Sequence, residues 1–171
     1  CNIMKKNFVL ITLLLSSALH LAARPATRQK IDFNFDWNFS LTDSQKYILT
    51  PFDKSHSESV QLPHDWNIKQ KFDRKGIGSA AYLPEGIGWY RKTFFVPQSY
   101  KGKTVSILFD GIFQQSDVFI NGKHLGHRPY GFCSIEYDLT PYLQIGKENI
   151  IAVRVNTTGG LSLIHISEPT R

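Results

Sequence analysis

The sequence predicts an all-β fold, a sandwich or barrel of short strands. Three observations carry this. Apolar residues alternate with period two in several segments, turn residues punctuate those segments at short intervals, and helical periodicity never persists for two turns. The size agrees: 171 residues, 42% hydrophobic, 13% aromatic and 20% charged, is a globular composition. That length suits one domain and falls short of a (β/α)₈ barrel, which needs roughly 250 residues. Any function that requires such a barrel is excluded for this polypeptide as it stands.

Both ends read as something other than domain. Met4 precedes a Lys5-Lys6 pair, an apolar run from Phe8 to Leu15, and small residues at Ser16, Ser17, Ala18, Ala22 and Ala23. This is the pattern of a secretory signal peptide over 4–23, with an apolar stretch shorter than the roughly 20 residues a membrane span needs. A periplasmic or secreted location without a stable membrane anchor follows as an expectation. Residues 1–3 read as translated upstream sequence. Residues 161–171, LSLIHISEPTR, follow a Gly159-Gly160 break. They resemble the conceptual translation of a transposase adapter used in preparing sequencing libraries, and are expected to carry no function. The domain is therefore expected over 24–160.

Within it the elements follow in order. Segment 31–41 places Ile31, Phe33, Phe35, Trp37, Phe39 and Leu41 on one face and polar residues on the other, predicting a strand, straight or bent, with one buried face. Residues 43–59 are polar and read as an exposed loop, and 63–88, with Pro63, Pro84 and four glycines, as a long irregular connection. Segment 89–96 is aromatic and β-branched and stops at Pro97. Segment 104–109 puts Val105, Ile107 and Phe109 on one face. Segment 117–125 is a hairpin, because Asn121-Gly122 supplies the two positive-φ positions of a type I′ turn. Segment 133–139 alternates Cys133, Ile135, Tyr137 and Leu139. Thr140-Pro141 opens a turn from which Tyr142 and Leu143 are expected to pack back. Gly146 to Asn149 forms a turn, and 150–155 is the last strand.

Charge and cysteines narrow the function classes. Residues 24–160 hold 17 basic and 13 acidic side chains, scattered without a basic run. That is a solvated surface, and no nucleic-acid partner is expected. Cys133 is the single cysteine after cleavage removes residues 1–23, so no internal disulfide is expected and a buried, inert thiol is the reading. Partners at metal-ligand spacing are lacking, so neither metal nor cofactor is expected.

One series of motifs is more specific. Leu62-Pro63-His64-Asp65-Trp66 is followed by Gly88-Trp89-Tyr90-Arg91-Lys92-Thr93-Phe94, then by Phe109-Asp110-Gly111. Val118-Phe119-Ile120-Asn121-Gly122 with Leu125-Gly126, Tyr137-Asp138-Leu139-Thr140 with Tyr142-Leu143, and Asn149 to Val155 complete it. The series resembles the N-terminal sugar-binding domain of glycoside hydrolase family two, over residues 30–157. That family includes β-galactosidases, β-glucuronidases and β-mannosidases. The resemblance implies a jelly-roll β-sandwich of the galactose-binding-domain type, incomplete here at its C-terminal end. It also implies a parent exo-glycosidase, expected to be a β-galactosidase. Two glutamates held about 5–5.5 Å apart would act in a later barrel, through which the carbohydrate substrate is bound. Neither can be carried over to this chain: Glu58, Glu85, Glu136 and Glu148 belong to the sandwich. No catalytic residue is therefore assigned. A stand-alone carbohydrate-binding module is the alternative, since fold does not fix function. The oligomeric state is open.

Each motif also has a structural reading. Asp110-Gly111 and Asn121-Gly122 set turns. Trp66 and Trp89 read as core plugs rather than stacking platforms. His64-Asp65 looks like the start of a hydrolytic dyad but lacks any nucleophile motif. In the family, the loop before the Gly-Trp-Tyr strand reaches the barrel mouth, which makes Glu85, within Tyr82 to Ile87, a candidate acceptor for sugar hydroxyls beside its reading as a solvated carboxylate. Asn156, after the last strand, is the second candidate substrate-binding residue; family members often have Asp there.

Overall fold

The computed structural model describes residues 28–48, 57–71, 74 and 84–158. The segments 1–27 and 159–171, with the signal-peptide and adapter readings, lie outside the described residues, as do Tyr82 and Leu83. The chain divides into two units, 1–33 and 34–171. Of the first, the described residues 28–33 have no regular secondary structure.

The second unit is a jelly-roll β-sandwich. Its strands are β1 (Trp37–Leu41), β2 (Glu58–Val60), β3 (Ile87–Phe95), β4 (Ser106–Phe109), β5 (Gln115–Ile120), β6 (Lys123–Arg128), β7 (Ile135–Asp138) and β8 (Glu148–Asn156). Six form one sheet in the order β2-β1-β3-β8-β5-β6, and β4 pairs with β7 in a second. Every pairing is antiparallel. Between strands the described helical elements are single 3₁₀ turns, at Gln45–Ile48, Trp66–Lys69, Gln98–Tyr100 and Thr140–Tyr142.

Register separates the two faces of the large sheet. Phe39, Tyr90, Val153 and Val118 stand side by side in successive strands, and Ile151 stands beside Ile120. This row is buried and faces the small sheet, because Tyr137 of β7 closes over Gly126, the partner of Val118. Fully burying each aliphatic side chain contributes about 1.5–3 kcal/mol. The opposite face carries Trp89, Arg91 and Ala152, also buried. Trp89 lies against Tyr47 and Phe119. Burial lowers the pKa of Arg91 below the ordinary arginine value, and its Nη1, like Trp89 Nε1, has no hydrogen-bond partner among the described residues.

The hairpin forms as its dipeptide dictates. Asn121 has φ 48° and Gly122 φ 83°, the left-handed pair of a type I′ turn. Asn121 also ties the hairpin to β8: its Oδ1 accepts from Ile150 N at 2.9 Å, and its Nδ2 donates to Asn149 Oδ1 at 2.8 Å and to Tyr142 O at 2.9 Å.

Four expectations are corrected. The 31–41 strand begins only at Trp37, because Asp36 turns the backbone into the left-handed region at φ 56°. Trp37 and Phe39 are buried, whereas Ile31, Phe35 and Leu41 are exposed. Cys133 is an exposed thiol rather than a buried one; β7 starts at Ile135, so the alternation that buries Ile135, Tyr137 and Leu139 does not extend back to it. Tyr142 does not pack back. It is exposed, and its carbonyl, not its ring, is held by Asn121. Residues 43–59 are not uniform loop, since the Gln45–Ile48 turn and the start of β2 fall within them.

Candidate carbohydrate-binding end of the sandwich

Both sequence candidates, Glu85 and Asn156, come to one end of the large sheet. The cause is the long β3–β8 ladder, which pairs Ile87 with Asn156 across a wide sequence separation. Past the last rung the chains stay joined: Thr157 N donates to Gly86 O at 2.9 Å, and Gly86 N donates to Thr157 Oγ1 at 3.0 Å. Thr157 is buried and Glu85, one residue before Gly86, is half-buried.

Asn156 also faces Gln115, the first residue of β5. Its Oδ1 is occupied locally, accepting from Thr158 N at 2.8 Å and Thr158 Oγ1 at 2.6 Å. Its Nδ2 reaches Gln115 Oε1 only at 3.5 Å, the outer limit of a hydrogen bond. An amide donor so weakly engaged can turn to a hydroxyl oxygen at small cost. Sequence reasoning missed Gln115 and Thr157; the β-pairing that brings them here is not written in their local sequence.

A groove of about 350 Å³ lies beside this end, lined among others by Phe39, Leu41, Glu58, His64, Trp66 and Lys69. Leu41 links the two features: it pairs with Gly88, and a Cβ on Gly86 would stand 3.3 Å from its Cδ1. Glu58 and Lys69 form an ion pair at the groove, and that bond holds the Glu58 carboxyl below its ordinary pKa. Trp66 stacks on Phe39 with ring centroids 5.4 Å apart, which confirms it as a plug rather than an open platform.

His64 and Asp65 do not make a dyad. Asp65 Oδ1 caps the following 3₁₀ turn by accepting from Asn67 N at 2.8 Å, the usual role of an aspartate at an N-cap. His64 Nδ1 lies 2.9 Å from the Tyr90 hydroxyl. Desolvation lowers the His64 pKa and raises that of Tyr90 well above the ordinary phenol range. Both shifts favour the neutral forms, as suits a half-buried contact between β3 and the preceding segment. Among the described residues no group of three or more His, Cys, Asp or Glu side chains is arranged to hold a metal ion.

The model of the glycosyl hydrolases family 2 sugar binding domain matches residues 31–164. The chain belongs to this family. The family-two beta-galactosidase BoGH2A of Bacteroides ovatus is 47% identical over 132 residues, which is 75% of this chain and 15% of that protein. A putative beta-glucuronidase of Formosa agariphila is 45% identical over 134 residues, 77% of this chain and 13% of that protein. In structure, a beta-glycosidase from Bacteroides vulgatus superposes with a TM-score of 0.71 at 41% identity, covering 77% of this chain and 17% of that one. The chain thus spans about one-seventh of the length of the curated family-two relatives it matches.

Proposed function

We propose that this domain is the non-catalytic, carbohydrate-binding and supporting part of an exported family-two exo-glycosidase acting on β-galactosides. The observation that carries the reading is the convergence of Glu85, Gln115 and Asn156 at one end of the sheet through the β3–β8 and β5–β8 ladders. A carboxylate offers acceptors and two amides offer donors as well as acceptors, a set matched to sugar hydroxyls. The 47% identity with a beta-galactosidase supports galactose as the glycone. Export to the periplasm or beyond rests on the leader pattern of residues 4–23.

The test is titration of the chain with methyl β-galactoside, followed by amide NMR. Shifts confined to 84–87, 115 and 156–158, with saturation weakened by Glu85→Gln and Asn156→Ala, are expected. A folded chain whose spectrum is unchanged by the sugar refutes the binding role. Fusing residues 1–30 to a reporter active only outside the cytoplasm tests export, and a silent reporter refutes it.

A further inference from the structure

Three aromatic rings stand in water at this same end. Phe113, Tyr130 and Phe132 are 49%, 53% and 67% exposed. They form one cluster: Phe113 and Phe132 have ring centroids 5.6 Å apart at 69°, and Tyr130 and Phe132 5.4 Å apart at 60°. Residues 110–114 lead into β5 at Gln115, and residues 129–134 join β6 to β7. The cluster therefore adjoins Gln115 and, through it, Asn156.

The two loops are clamped together by close backbone contact. A Cβ on Gly131 would lie 2.5 Å from Ile112 O and 2.7 Å from Phe113 Cα, and one on Gly111 would lie 2.9 Å from Gly131 O. Only glycine permits that approach. The close approach sets the two loops side by side and brings the three rings together.

We propose that Phe113, Tyr130 and Phe132 form a stacking platform for the sugar rings of a pyranose oligosaccharide that extends from the Glu85–Asn156 site. The inference rests on the reading of that site as carbohydrate-binding and goes beyond it in assigning an oligosaccharide rather than a single sugar. The axial C–H groups of a pyranose are weakly positive and apolar, and an aromatic face carries the negative part of the ring quadrupole. The interplanar angles of 69° and 60° turn the ring planes in different directions, which suits a bent chain of sugars. Area argues for the same occupant. At roughly 200 Å² per aromatic side chain, the exposed fractions leave on the order of 350 Å². The three rings alone supply less than half of the about 800 Å² per side that a stable protein partner needs, an area that suits two or three sugar rings. The adjacent Gln115 and Asn156 amides supply the hydrogen bonds that orient a sugar.

The experiment compares galactose with β-1,4-galactotetraose on the 171-residue chain carrying Cys1→Ser. Binding is read by calorimetry and by the reaction of Cys133, exposed and adjacent to Phe132, with Ellman's reagent. The tetraose is expected to bind at least tenfold more tightly than galactose and to slow the thiol reaction. Phe132→Ala and Tyr130→Ala should remove that gain, and Phe132→Trp, which keeps a ring, should retain it. Galactose binding with no gain from chain length, or a gain that survives both alanine variants, overturns the platform and leaves the terminal site standing. A folded chain that binds neither sugar overturns both. A concentration-dependent dimer abolished by Phe132→Ala also overturns the platform, with a second copy as the occupant.

Discussion

Replacing Asn149 by alanine should cost more stability than any other single polar truncation in the sandwich. Asn149 is fully buried at the start of β8. Its Oδ1 accepts from Gln144 N at 2.7 Å and from Asn121 Nδ2 at 2.8 Å. Its Nδ2 donates to Gln144 O at 2.9 Å and Lys147 O at 3.0 Å. One side chain thus binds the turn before β8, the hairpin and its own strand. At about 1 kcal/mol net per hydrogen bond, losing the four bonds costs about 3–4 kcal/mol. Native stability is about 5–15 kcal/mol, so this is a large share. A thermal midpoint lowered by about 10 °C is expected for a domain of this size. A cycle with Asn121→Gly, which removes the second amide yet keeps the left-handed turn, should show a coupling of about 1 kcal/mol. A loss below 1 kcal/mol for Asn149→Ala would show that the network carries no net stability, and the reasoning would fail.

Arg91→Met should be neutral or stabilising by about 1–2 kcal/mol in denaturant titration, because it removes a buried guanidinium that carries an unpaired Nη1; a loss above 1 kcal/mol would reveal a stabilising partner. Gly88→Ala places a Cβ 2.7 Å from Phe39 and 2.8 Å from Trp66, so a loss of about 1–3 kcal/mol is expected, and an unchanged midpoint would show that the rings can move apart. Burial keeps the folded His64 pKa below its unfolded value. Its stabilising contribution is then present above about pH 6.5 and is lost as pH falls through the lower folded value. Melting curves from pH 7.5 to 5 should fall less steeply for His64→Gln than for the parent chain, and parallel curves would refute the assignment.

Much of this fold is legible in the sequence because its signals are local. Asn121-Gly122 specifies its own dihedrals, and the alternation in 150–155 needs only a covered sheet to become the central strand β8. The failures occur where a local pattern meets a boundary set by something distant. Period two runs unbroken from Ile31 to Leu41, yet Asp36 turns the chain before β1. The same overreach placed Cys133 in a core that begins two residues later. The candidate site was legible only as two separate residues. Glu85 and Asn156 carried over by resemblance, but their meeting depends on the β3–β8 register, and Gln115 joins them only because β5 lies on the other side of β8. The aromatic cluster was hidden for a different reason: Tyr130 and Phe132 are apolar residues in a glycine-containing connection, and their exposure depends on the absence of a covering layer among the described residues.

The two asparagines at the ends of β8 show why binding chemistry belongs to one end of the sandwich. Asn149 uses both amide groups on fixed protein partners at 2.7–3.0 Å and has no exposure left. A sugar hydroxyl there would have to displace bonds already made in a dry site, which costs more than it returns. Asn156 has the same functional groups seven positions on, but only its Oδ1 is committed, to a threonine two residues away. Its Nδ2 is held by a single contact of 3.5 Å and the side chain is half-buried. A donor in that state loses little on leaving its partner and gains a normal hydrogen bond from a hydroxyl. Substituting alanine should therefore separate the two roles. Asn149→Ala should lower the melting midpoint and leave galactoside affinity unchanged once the chain is folded, whereas Asn156→Ala should weaken affinity several-fold with a midpoint shift of no more than about 2 °C. If Asn156→Ala instead destabilised the chain as much as Asn149→Ala and left affinity untouched, both ends would be structural and the binding site would have to lie elsewhere.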